Sequence, residues 1–129
     1  MAFSDYLEDK VLEHVFGGNA FTAPSTLYVA LFTVAPSDTG GGTEVSGGAY
    51  ARQTATFNVS GTNPTEASNV ASIEYPTATA SYGTVLAVGV FDALSGGNLL
   101  AYSTLTTNKT IDTGDVFRIN AGDLDIRLA

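Results

Sequence analysis

The 129-residue chain has no cysteine and no tryptophan, and it contains a single histidine, His14. Without cysteine, disulfides and thiolate metal sites are excluded, so the fold must stand on its own packing. With only one histidine and no thiol, a nucleophile–imidazole pair would have to be built around His14. Charge is also scarce. Charged residues make up 14% of the chain, against about 25% in typical soluble domains. Thirteen acids face five bases, for a net charge of −8. The bases Lys10, Arg52, Lys109, Arg118 and Arg127 are scattered. That distribution argues against nucleic acid, whose phosphates require clustered cations, and against an anionic membrane surface. No apolar run approaches the ~20 residues of a membrane helix. The N-terminus carries acids where a signal peptide carries bases, so synthesis and folding in the cytosol are expected.

Glycine, serine, threonine and alanine fill the place of the missing charges. Small side chains suit close-packed β structure, and low charge suits burial in an assembly. The length fits one domain, 1–129. Its centre is expected at Tyr82–Leu105, YGTVLAVGVFDALSGGNLLAYSTL. Two apolar runs, Thr84–Phe91 and Leu99–Leu105, flank the turn-forming stretch Asp92–Asn98, which reads as a hairpin. The first run is apolar on both faces: Val85, Ala87, Gly89 and Phe91 on one, Leu86, Val88 and Val90 on the other. Such a strand belongs in the middle of a sheet.

Residues 4–16 read as a helix. Ser4 or Asp5 caps it, and Gly17-Gly18 ends it. Leu7, Val11 and Val15 form a stripe with Phe3, widened by Leu12 and Phe16, while Glu8, Asp9, Lys10 and Glu13 are assigned to the outer face. A helix of this length is marginal alone, so the stripe should dock on its own sheet or on a neighbouring molecule. Leu27–Val34 reads as a strand apolar on both faces. Residues 35–48 read as a Gly-rich surface loop; they lack the lysine and the following helix of a phosphate-binding loop. Tyr50–Val59 alternates, with Ala55, Phe57 and Val59 inward. Gly61–Ser68 reads as a loop, and Val70–Tyr75 as a strand. Thr106–Thr113 reads as an exposed segment. Phe117 and Ile119 should point inward, as should Leu124, Ile126 and Leu128 on the last strand, with Asp123, Asp125 and Arg127 outward. One helix and about eight short strands call for a mainly β fold, an antiparallel β-sandwich with jelly-roll topology as one form of it.

No stretch carries a reactive constellation. Asp123 and Asp125, with Asp112 or Asp115 nearby, make a cation site conceivable, but their spacing matches no EF-hand, and solvated carboxylates on an edge strand account for them better. Glu44, Glu66, Glu74 and Asp92 are the acids that a glycosidase pair would have to draw on. His14 reads as a helix-end residue. Hence no catalytic, cofactor-binding or metal-binding residue is assigned, and no enzymatic activity is expected.

Four stretches do carry a likeness: FSDYLEDKVLEHVFGG; AFTAPSTLYVALFTVAPSDTGGGTEVSGGAYARQ; VGVFDALSGGNLLAYSTL; and INAGDLDIRL. Together they span nearly the whole chain, and it resembles small structural proteins of tailed bacteriophages, often labelled tail fibre or virion structural protein. The resemblance implies a non-enzymatic virion component present in many copies, without cofactor, nucleic acid or membrane. Its partners would be other virion proteins and copies of itself. Two roles compete. The preferred one is a head decoration, or cement, protein seated on the major capsid protein, often as a trimer. It would bridge capsomers through the N-terminal helix and the loops 35–48 and 61–68. The alternative is a tail component: a fibre, tip or adaptor module. A carbohydrate-binding module ranks below both.

Overall fold

The computed structural model describes residues 1–128. The strands are β1 (Ala2–Phe3), β2 (Leu27–Val34), β3 (Thr43–Glu44), β4 (Gln53–Ala55), β5 (Phe57–Ser60), β6 (Thr65–Asn69), β7 (Ile73–Glu74), β8 (Gly83–Phe91), β9 (Leu99–Ile111), β10 (Arg118–Ile119) and β11 (Asp125–Leu128). One helix, α1 (Asp5–Val15), follows β1. The fold is mainly β, and every strand pairing is antiparallel. Six strands form one sheet in the order β1-β9-β8-β2-β3, with β4 also on β2; β10-β7 and β11-β6-β5 form two smaller sheets. This division into six, two and three differs from the two four-stranded sheets of a jelly roll.

The hairpin β8–β9 is central, as its apolar runs require. β8 lies between β2 and β9, and Val85, Ala87, Val88 and Val90 are each at most 2% exposed. Its inward and outward faces do not alternate throughout. Val85 pairs with Lys109 and Ala87 with Thr104, so β9 loops out between these pairs. Such a bulge resets the pleat. Val85 therefore joins Val88 and Val90 in the main core, whereas Leu86 and Ala87 both lie with the second cluster.

The main core lies between the large sheet and the small ones. Val29, Leu31, Val88 and Val90 meet Ile73, Phe117, Ile119 and Leu124 there. Tyr75 is the largest side chain wholly inside. Its hydroxyl donates to the Val29 carbonyl at 2.7 Å, while its ring stacks on Tyr50 and meets Phe117 edge-on. The opposite face of the large sheet buries Ala30, Phe32 and Ala87. Gly89 opens this face. A Cβ there would come within 2.9 Å of Leu99 Cδ1 and 3.0 Å of Phe32 Cε1, so both side chains lie flat across the glycine.

Several boundaries differ from the sequence reading. Tyr50–Val59 is two strands in two sheets: β4 pairs with β2, β5 with β6. The chain changes sheet at Thr56, whose carbonyl accepts from Val70 N–H. Beyond that switch Val59 turns outward, 67% exposed. The expected loop at 61–68 supplies β6, which β5 and β11 flank on its two edges; Val70 is exposed just beyond its end. Residues 106–111 continue β9. The 35–48 loop is partly framework: β3 pairs with β2, Val45 is buried, and its N–H donates to the Leu31 carbonyl. Gly42 (φ 74°) makes that return possible, since a Cβ would lie 2.6 Å from the Val34 carbonyl oxygen. At the C-terminal end Leu124 is buried and Ile126 half-buried, but Leu128 is exposed, not inward.

Candidate interaction surface

The acids singled out in the sequence are held in separate places. Glu44 lies beside Arg52, which is only 8% exposed. The guanidinium donates Nε to Glu44 Oε2 at 2.9 Å and Nη2 to Oε1 at 2.8 Å. Its Nη1 donates to the Ala93 and Gly96 carbonyls at 2.9 and 2.8 Å. Its Cζ lies 3.8 Å from the centre of the Phe91 ring, over the ring. Tyr50 adds an O–H donation to Glu44 Oε2 at 2.6 Å and accepts from Leu31 N–H. Burial alone would raise the pKa of Glu44, but the hydrogen bonds from Arg52 and Tyr50 and the charge of Arg52 hold it below the ordinary value. The Tyr50 hydroxyl moves the other way, pushed far up by burial and by its bond to the Glu44 carboxylate. Arg52 thus clamps the 92–98 turn to β3. Sequence reasoning gave Arg52 no role. Its one signal was a lone arginine between a Gly-rich loop and an apolar strand.

The other acids are also tied to framework. Asp92 closes the hairpin turn by accepting from Asn98 N–H and from its side-chain amide. Glu66 accepts from Ser68 and Arg127, and those interactions lower its pKa, the arginine contributing most. Glu74 faces Arg118 at 3.8 Å. Asp125 accepts from Ser68 at 2.6 Å, and Asp115 from the Asp112 N–H at 2.9 Å; Asp123 is exposed. Among the described residues no group of three or more histidine, aspartate or glutamate side chains converges as metal ligands would. His14 Nδ1 accepts from Phe21 N–H at 3.1 Å, tying the following loop to the helix end.

The helix is where the surface departs from a closed monomer. Its N-terminal end is anchored firmly. Ser4 caps it by accepting from Leu7 N–H, and its own N–H and Oγ donate to the Leu100 and Leu99 carbonyls of β9. β1 holds the preceding residues on β9. Beyond that anchor none of the helix residues is buried. Tyr6, Leu7, Lys10, Val11 and Glu13 are half-buried. Lys10 and Glu13 pair with each other at 3.7 Å, their side chains 36% and 43% exposed. Val15 goes the other way, 61% exposed, together with Leu12 at 58% and Phe16 at 81%. The expected docking stripe is therefore only half docked, because α1 meets the sheet through its first two turns. Val11 and Leu12 line a groove of about 500 Å³ together with Phe3, Glu8, Arg127 and Leu128.

The family model described as Gp80, podophage GP4 fiber I protein gp80, matches residues 2–127. No curated protein matches the chain.

Proposed function

The chain belongs to the podophage GP4 fiber I protein gp80 family, and from that premise we propose that it works as a fibre module within the tail of the virion. It is a phage structural protein and a virion component. The observation that carries the finer reading is the match itself, which runs over nearly the whole chain. It supports the tail alternative over the head decoration reading. The fold weakens the decoration reading further, because the two loops invoked to bridge capsomers contribute β3 and β6 to sheets. We read the chain as one unit without catalytic function: a rigid sheet core that presents surfaces to other virion proteins. Glu44, Glu66, Glu74 and Asp92 are each held in hydrogen bonds or ion pairs that shape the fold.

Antibody-gold labelling of purified particles tests this directly. Label on the tail or its fibres is the expected result. Label spread over the head lattice overturns it in favour of decoration.

A further inference from the structure

The exposed strip of α1 has two chemically different halves. Asp5, Glu8, Asp9, Leu12, Val15 and Phe16 follow one another at spacings of three or one. At 3.6 residues per turn such spacings put all six on one side. All six are exposed. The first half of the strip is acidic and the second half apolar. Negative charge also accumulates beside it: the Tyr102 hydroxyl bonds Asp38, and that bond, with the charges of Asp38, Asp5 and Glu8, raises its pKa. A contiguous exposed apolar patch rimmed by polar residues is a feature of interaction surfaces.

A second copy of the chain is a poor occupant. Antiparallel packing of two such helices lays the acids of one over the apolar half of the other; parallel packing lays acid on acid. Nor has the chain bases to offer in exchange. Arg52 is engaged with Glu44, Arg127 with Glu66, Arg118 with Glu74 and Lys10 with Glu13. Among the described residues only Lys109 lacks an ion pair, and it lies on β9 beyond the stretch that β1 covers.

We propose that the strip Asp5–Phe16 is the docking surface for a segment of a different virion protein, one with lysine or arginine side chains followed by apolar ones. The inference rests on the virion reading above. The apolar part of that segment covers Leu12, Val15 and Phe16 and enters the groove beside Leu128. Its basic part lies along Asp5, Glu8 and Asp9. Complementary charge sets the register and the approach, and apolar burial supplies the hold.

Particles assembled with a photo-crosslinking aromatic residue in place of Phe16 test the proposal. The expected product joins position 16 to a peptide of another virion protein with lysine or arginine within a few residues. A crosslink to a second copy of the chain overturns the proposal, as does a crosslink to a peptide without basic residues. In parallel, incorporation of Glu8→Lys/Asp9→Lys and Leu12→Asp/Phe16→Asp into particles is compared with wild type. Losses on the order of tenfold are expected for the apolar pair, with unchanged circular dichroism of the purified variants. Normal incorporation of both variants overturns the docking surface. Wild-type chain missing from particles instead removes the virion reading on which the proposal rests.

Discussion

The sheet core and the N-terminal helix are built on opposite terms. Around β2, β8 and β9 the side chains are sealed: Val29, Leu31, Val85 and Ala87 are fully buried, and a buried arginine makes four hydrogen bonds through its guanidinium. Along α1 the anchor is a single buried serine at one end, and three large apolar side chains stand in solvent at the other. The difference teaches where each sort of residue does its work. Residues that hold the shape are inside or bonded to it. Three of the large apolar side chains that stay exposed, Leu12, Val15 and Phe16, stand together on the helix.

The largest expected effect falls on the core side. Val88→Asp places an unpaired charge in the middle strand and should cost about 5 kcal/mol, enough to abolish soluble protein. A folded Val88→Asp protein would mean that β8 is not central. Arg52→Ala comes next. It leaves the Glu44 carboxylate without its bidentate partner and frees the 92–98 turn. Because Glu44 is partly solvated, the cost should be about 2 kcal/mol, read as a fall in melting temperature of roughly 6–10 °C. Arg52→Lys should recover little of it, since an ammonium cannot serve two carboxylate oxygens and two carbonyls in one plane while stacking on Phe91.

The same clamp predicts a pH response. The folded-state pKa of Glu44 lies below its unfolded value, so its contribution is present above the unfolded pKa and is lost as pH falls through the folded one. Stability should therefore drop as the solution is taken below about pH 4.3, the ordinary glutamate value. Glu44→Gln should be less stable near neutrality and show a flatter decline there, measured by denaturant titration across pH. The smallest effect belongs to the helix. Leu12→Ser and Phe16→Ser should each change stability by no more than about 0.5 kcal/mol. A much larger loss would show that these side chains pack against the monomer, and it would erase the contrast between the two regions.

Much of the fold was legible where the local pattern was long and unambiguous. β2 and β8 appeared with their boundaries nearly right because the unbroken apolar runs Leu27–Phe32 and Val85–Phe91 admit few other readings. The helix was legible from Ser4, its acids and its glycine stop. The misreadings fall where partners distant in sequence decide. Tyr50–Val59 alternates as one strand, yet two different sheets claim its halves. The 65–69 stretch has little strand character, but it lies between β5 and β11 and gains hydrogen bonds on both edges. The parity of β8 looked regular because the bulge that resets it is in β9. Of the candidate surface, the apolar stripe was legible. Which part of it remained uncovered was not, since that depends on how far β9 extends beneath α1.

The sequence by itself determined what this protein could be made of. Without cysteine, with one histidine and few charges, it had to fold by apolar burial and turn chemistry, and its long apolar runs had to be central strands. The tertiary structure decided how the scarce charges were used. It brought Arg52 onto Glu44, eight residues away, and onto the 93–96 carbonyls more than forty residues away, and it left the acids and apolar side chains of one helical face in the open. Local sequence dictates which residues avoid water. Only the closing of sheets on one another dictates which of them succeed, because burial is a property of neighbours that the chain brings together from far apart.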